Sequence, residues 1–240
     1  MIKHVLPALL TIAIASAAAT NLNAADLSLE EILAKWLAAT EEIQVFETDF
    51  ERSTYDQVFR VEKRAVGHFH LDLPNAGRIS VRPATMPHSA KNAKTMRQGK
   101  VYAVKSDLGE IWEWTSKTCK QTDPKTGQSE EIDLVQHGSG GWFDVSDFCK
   151  SRPVVLGVDP IRLQDECDIE LKDITTDQIG LTAHARSDSK MAKSVSSIDM
   201  LLDASTFLPN AVKLTDRAGH IETVYVYTNV VAVPKSDVQP

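Results

Sequence analysis

Apolar and polar residues alternate along the segment from Val58 to Leu73. A period of two is typical of a β-strand with one face toward a core and the other toward water. Since ordinary strands are about five or six residues long, this length indicates a large, curved antiparallel sheet. Gly67 marks a point where such a strand could bend or bulge. The apolar side carries Phe59, Val61, Ala65, Phe69, Leu71 and Leu73.

A helix is predicted before the first strand. Ser28 is a suitable N-cap, and Glu30 and Glu31 suit the first helical turn. This helix is amphipathic, with one apolar stripe that needs a surface to lie on. The stripe consists of Leu29, Ile32, Leu33, Trp36 and Leu37, which recur at helical spacing.

Further alternating segments bring the expected total to about 10–11 antiparallel strands. The polar stretch from Ala84 to Lys100 is predicted to be an exposed loop, and a basic-patch function is its less favoured interpretation. Between Gln136 and Asp165 a glycine-rich run precedes a dense group of apolar residues. This segment predicts a helical or loop insertion that packs on the sheet. The fold class is therefore α+β, mainly antiparallel β.

The N-terminus has the form of a secretory signal peptide. Lys3 and His4 give a basic start, residues 5–19 are mostly apolar, and Leu22-Asn23-Ala24 offers a cleavage site. We expect residues 1–24 to be removed, residues 25–233 to form a single domain and residues 234–240 to be a disordered tail. No cysteine lies near the cleavage site, so the expected product is an exported, soluble periplasmic protein without an acyl anchor.

Charge and cysteine content narrow the function further. The chain has 26 basic and 33 acidic residues, a net charge of −7, which argues against nucleic-acid binding. Export permits disulfides, and Cys149 and Cys167 are the closest pair in sequence among three cysteines. A Cys149–Cys167 disulfide and three buried thiols are equally consistent with this spacing, whereas metal binding by these cysteines is not indicated.

The sequence lacks the common catalytic motifs, including H-E-x-x-H, G-x-S-x-G and a phosphate-binding loop. We therefore predict no enzymatic activity, no catalytic residues, no bound metal and no cofactor. His68, His70 and Asp72 share the polar side of the long strand and offer a metal site for a secreted enzyme as an alternative. A solvated strand face is the favoured interpretation of these three residues.

The order of several motifs resembles the LolA-like superfamily of outer-membrane lipoprotein carriers, in particular a secreted branch of it rather than the carrier itself. The resemblance spans roughly residues 28–231. Its motifs are Val45-Phe46-x-x-x-Phe50-x-Arg52, the long strand with Gly67 ending at Pro74-Asn75, Gln98-Gly99-Lys100-Val101-Tyr102, and the late hairpins around 201–209 and 216–220.

This resemblance implies an open half-barrel sheet, with the N-terminal helix and the insertion covering its concave face. It also implies an apolar cavity for a lipid, an acyl chain or a lipidated protein. By position, the lining residues are Phe46, Phe50, Phe69 and Leu71; alternation adds Phe59, Val61, Trp112, Trp114, Met200 and Leu202.

One position departs from the family pattern. The carriers have an arginine that fastens the lid immediately before the proline ending the long strand, and Leu73 stands there in this chain. The departure counts against a lipoprotein-handover cycle, while lipid binding, with a role as a lipoprotein carrier or chaperone, stays the prediction. The expected protein is a monomer with transient contacts to a membrane protein. A non-catalytic envelope sensor or scaffold with a filled core is the alternative.

Overall fold

A computed structural model describes residues 27–73, 76–85, 93–133 and 160–235. In these residues the helices are α1 (Leu29–Glu41) and α2 (Pro160–Glu166), with a short 3-10 helix at Met191–Lys193. The strands are β1 (Ile43–Asp56), β2 (Val61–Asp72), β3 (Ala76–Pro83), β4 (Lys94–Arg97), β5 (Lys100–Ser106), β6 (Glu110–Trp114), β7 (Thr118–Thr122), β8 (Ser129–Asp133), β9 (Cys167–Ile174), β10 (Gln178–Ala185), β11 (Val195–Asp203), β12 (Pro209–Asp216) and β13 (Ile221–Pro234).

The strands form one sheet in the order β8-β7-β6-β3-β2-β1-β13-β12-β11-β10-β9. All neighbours on this path are antiparallel, and the β4–β5 hairpin joins it through a parallel pairing of β5 with the start of β2. Strands β8 and β9 lie at opposite edges, so the sheet is open. The predicted fold class, an open and mainly antiparallel sheet with an N-terminal helix, is confirmed.

Helix α1 begins as the sequence predicts. The Ser28 hydroxyl accepts a hydrogen bond from the backbone N–H of Glu31, whose carboxylate in turn accepts one from the Ser28 N–H, which completes a capping box. Ile32 and Trp36 are fully buried and belong to the same core as residues of the sheet. Helix α2 contacts α1 and adds Leu163 to that core. We call the side of the sheet that both helices cover the helical face.

The predicted strand Val58–Leu73 is wrong at its start. Strand β2 begins only at Val61, because the Asp56 carboxylate accepts hydrogen bonds from the N–H groups of Val58 and Phe59 and fixes a turn. Arg60 completes this turn with a positive φ of 53°. The apolar alternation holds from Ala65 to Leu71, whose odd-numbered side chains are buried. Strands β1 and β13, with 14 residues each, are longer than β2.

Two strands were not predicted. Strand β4 lies within the expected loop 84–100 and pairs with β5, and β8 follows the turn after β7. Strand β13 ends at Pro234, and the Lys235 N–H donates to the Glu42 carbonyl, so the sheet includes the first residue of the expected tail. Several predicted features lie outside the described residues. They are the signal peptide, the Pro74-Asn75 turn, residues 136–159 of the insertion and residues 236–240.

Within the part of the chain that the structure describes, no helix combines the length and the apolar character needed to cross a membrane.

Candidate functional site

Eight of the ten predicted lining residues lie together on the helical face, in one core shared with α1. None of them is more than 7% exposed. Val61 is half-buried at the margin, and Phe59 is 78% exposed in the β1–β2 turn, so these two lie outside the core. We call the eight residues the apolar cluster: Phe46, Phe50, Phe69, Leu71, Trp112, Trp114, Met200 and Leu202.

Aromatic rings form the centre of this cluster. The ring centroids of Phe50 and Phe69 lie 4.4 Å apart. Tyr225 on β13 meets Phe50 edge-on at 5.4 Å, and Tyr227 meets Phe69 edge-on at 6.2 Å. Edge-on and offset ring pairs at these distances are favourable beyond the area they bury. Neither tyrosine was among the predicted lining residues, although their spacing of two along β13 was a signal that they share a face.

Gly67 makes room for this arrangement rather than bending the strand. It faces Phe50 directly in the β1–β2 register, which runs without a bulge from Asp72 to Val61. A Cβ atom at Gly67 would lie 2.2 Å from Cζ of Phe50 and 2.4 Å from the Ser80 carbonyl oxygen. Any other residue would therefore collide with the ring at the centre of the cluster.

The cluster is closed in this conformation. Phe46, Phe69 and Leu71 have no exposed surface, and neither do Ile32 and Trp36 of α1. These side chains are therefore packed against other protein atoms. A ligand could therefore reach them only after part of this packing opens.

A buried charge lies beside the cluster. Arg52 follows Phe50 by two residues on the same face of β1, and its side chain is 10% exposed. Its guanidinium donates to the Asp107 carboxylate at 2.9 Å and to the Glu110 carboxylate at 2.6 Å. The indole N–H of Trp112 donates to the other oxygen of Glu110 at 3.1 Å. This network connects the cluster to the turn between β5 and β6 and to the first residue of β6.

Electrostatics favour the charged form of Arg52 in this place. Burial alone would lower the pKa of the guanidinium, but Tyr225, Glu110 and Asp107 outweigh burial and raise that pKa above its ordinary value. Its Nε atom is buried and makes no hydrogen bond with any residue that the structure describes. Arg52 belongs to a motif of the predicted family resemblance but was not among the predicted site residues. The signal was a charge on the apolar side of β1.

The three alternative metal ligands do not converge on one point, although His70 Nε2 lies 3.8 Å from the Asp72 carboxylate. His68 Nδ1 lies 3.0 Å from the Asp49 carboxylate, and His70 Nδ1 contacts the Glu47 carboxylate. Each histidine thus faces an acidic residue of β1 on the outer face of the sheet. Among residues 27–73, 76–85, 93–133 and 160–235, no group of three His, Cys, Asp or Glu side chains is arranged to hold a metal ion. The metal-assisted alternative gains no support.

Cys167 carries a buried free thiol at the start of β9, where it donates to Sδ of Met191 at 3.6 Å. Burial raises the pKa of this thiol to about 11. Its predicted disulfide partner, Cys149, lies outside the described residues, so the pairing stays a prediction. Cys119 is also buried, on β7.

In the reduced protein, we expect Cys167 to resist alkylation by iodoacetamide in the folded state at neutral pH and to react readily in denaturant, because the thiolate is the reactive form. The unfolded thiol loses its proton first as the pH rises, since the folded pKa is the higher one. The stability linked to this group is therefore complete below about pH 9 and is lost between about 9 and about 11. Peptide mass spectrometry would read the labelling, and rapid labelling of the folded chain would contradict this account.

No family model matches the chain, and no curated protein matches it. Among solved structures, a LolA superfamily protein from Nitrosomonas europaea aligns over 89% of this chain and 98% of its own, with 11% identity and a TM-score of 0.35. The lipoprotein LppX from Mycobacterium tuberculosis aligns over 85% and 96%, with 10% identity and a TM-score of 0.41. A chain of the MucA/MucB complex from Pseudomonas aeruginosa aligns over 87% of this chain and 59% of its own, with 11% identity and a TM-score of 0.38. These likenesses concern the overall architecture alone.

Proposed function

We propose that this protein is an exported, non-catalytic carrier that binds an acyl chain, as a free lipid or on a lipidated protein, between α1 and the helical face of the sheet. One observation carries the proposal: the apolar cluster gathers large aromatic and aliphatic side chains on one face of an open sheet, beneath a cover of helices. The sequence motifs that resemble LolA-like carriers point to the same place.

Moving an acyl chain from water into the apolar cluster would be energetically favourable. Each methylene moved from water into an apolar site contributes about 0.8 kcal/mol, so a 16-carbon chain would gain about 10 kcal/mol before ordering costs. The two open edges of the sheet, at β8 and β9, leave the helical face unconstrained by barrel closure.

Helix α1 is the element that we expect to move. It has 13 residues, of which Ile32, Trp36 and Thr40 are buried. A helix this short is marginal without its packing partners. Leu73, which stands where the carriers have their lid arginine, packs against the core. We propose a lid that yields to a lipid and needs no ion-pair switch there.

The proposal places the mature chain in the periplasm after removal of residues 1–24, as a monomer with transient contacts to a membrane protein. It needs no cofactor. Organic extraction of the purified mature protein followed by mass spectrometry would reveal a bound lipid directly. Finding none, together with no saturable uptake of a fluorescent fatty acid, would contradict the proposal.

A matched pair of isoleucines tests the lid. Ile32 on α1 and Ile179 on β10 are both fully buried, so each alanine substitution should destabilise the protein by about 2–4 kcal/mol. We expect only Ile32→Ala to speed the uptake of a fluorescent fatty acid, because only that change loosens the lid. Stopped-flow fluorescence would measure the rates. Equal acceleration by Ile179→Ala would attribute uptake to general loosening of the fold.

The closed state of the cluster favours a second candidate function. Because Phe46, Phe69 and Leu71 have no exposed surface, the same fold would also serve as a filled-core sensor or scaffold that binds partners by its outer surface. This candidate predicts no lipid in extracts and no effect of fatty acid on thermal stability. Thermal unfolding with and without palmitate would separate the two functions, since a ligand that binds the native state raises its stability.

A further inference from the structure

Five apolar side chains are exposed together at one end of the sheet. The β1–β2 turn reaches β13 through a hydrogen bond from the Gln57 N–H to the His220 carbonyl at 2.8 Å. It reaches the β4–β5 hairpin through a bond from the Ala103 N–H to the Arg60 carbonyl, also at 2.8 Å. The side chains brought together in this way are 40–78% exposed: Val58, Phe59, Met96, Val101 and Ile221. Grouped exposure of this kind marks an interaction site.

The same end of the sheet is basic although the whole chain has a net charge of −7. Residues 93–105 contain four basic residues and no acidic one. Three exposed lysines, Lys63, Lys94 and Lys105, form no ion pair with any residue that the structure describes. The neighbouring carboxylates are occupied: Glu222 pairs with Arg97 at 2.7 Å, and Glu62 is buried against Arg64.

Strands β2 and β5 continue the helical face from the apolar cluster to this end of the sheet. In the register between β2 and β5, Val61 lies beside Ala103 and Lys63 beside Lys105. Register partners share a face of a sheet, and residues two apart on β2 share that face as well. Val61 and Lys63 therefore lie on the side of β2 that carries Ala65 and then the apolar cluster.

We propose that this end of the sheet docks the protein on an anionic lipid bilayer. Phe59, Met96 and their apolar neighbours would enter the headgroup region, and the three lysines would lie against lipid phosphates. Exposed apolar side chains flanked by lysines fit this partner. Burial of the apolar side chains in the headgroup region is favourable, and the negative surface potential attracts the lysines. The inference rests on exposure and charge at this end, and not on ligand binding by the apolar cluster.

Vesicle co-sedimentation of the mature protein tests the inference. We expect binding to phosphatidylcholine vesicles that contain about a third phosphatidylglycerol, no binding to phosphatidylcholine alone, and release at high salt. The triple variant Lys63→Gln, Lys94→Gln, Lys105→Gln should bind about 100-fold more weakly, since each lysine near such a surface contributes about fivefold. The double variant Phe59→Ser, Met96→Ser should lose at least about tenfold.

Matched variants separate docking from net charge and from general stickiness. Lys117→Gln, Lys120→Gln, Lys172→Gln removes the same charge from β7, the turn before it and β9. Ile161→Ser, Val231→Ser removes two half-exposed apolar side chains elsewhere. Both controls should bind as the wild type does. Failure of the wild type to bind anionic vesicles at low salt, or equal losses in the controls, would overturn the inference.

Discussion

Replacing Gly67 by alanine is expected to destabilise the protein by about 3 kcal/mol, a large effect for a single added methyl group. The new Cβ would lie 2.2 Å from Cζ of Phe50 and 2.4 Å from the backbone oxygen of Ser80. Phe50 cannot retreat easily, because its ring packs against Phe69 and Tyr225 at 4.4 and 5.4 Å. Urea unfolding of both proteins would measure the difference.

A second substitution identifies the cause. If the ring of Phe50 is what Gly67→Ala strikes, the same change made in a Phe50→Leu background should cost at least about 1 kcal/mol less. The collision with the Ser80 carbonyl remains there, so the recovery should be partial. An equal cost in both backgrounds would show that the backbone contact, and not the ring, requires glycine.

Replacing Arg52 by leucine is expected to destabilise the protein by about 3–5 kcal/mol, because the carboxylates of Asp107 and Glu110 would lose their positively charged partner beside the core. The triple variant Arg52→Leu, Asp107→Asn, Glu110→Gln should recover much of this loss, since no unpaired charge remains. Denaturant unfolding would measure both variants. As a control, Arg78→Ala breaks the Arg78–Glu113 pair, whose side chains are 54% and 42% exposed, and should cost less than about 1 kcal/mol.

This result would also show what the charge does for the site. The free energy of unfolding of Arg52→Leu could instead be close to that of the wild type. Solvent would then reach Asp107 and Glu110, and the network would not be a buried part of the core. A cost that the triple variant does not relieve would mean that the Arg52 side chain contributes through packing rather than through its charge.

Local patterns predicted most of the architecture because they are set by neighbouring residues. The Ser28 cap and the apolar stripe of α1 depend on residues at most a few positions apart, as does the alternation around Phe69. The exception is the start of β2, where the Asp56 carboxylate and the positive φ of Arg60 impose a turn that the alternation does not reveal.

The missed features depend on contacts between distant parts of the chain. Strand β4 is short and polar and is a strand only because β5 pairs with it. Arg52 is separated from Asp107 and Glu110 by 55 and 58 residues of sequence, so no local pattern predicts the network. Gly67 was singled out correctly as unusual, but its role depends on the facing ring of Phe50, which only the register between β1 and β2 supplies.

The central claim is that an acyl chain lies between α1 and the apolar cluster. Isotope-edited NMR with ¹³C-labelled palmitate bound to the mature protein tests it most directly, by nuclear Overhauser contacts between the chain and protein side chains. The account predicts contacts to Phe69, Leu71 and Met200 on the sheet and to Trp36 on α1. Contacts confined to exposed residues such as Phe59 and Met96, or no bound palmitate at all, would contradict it.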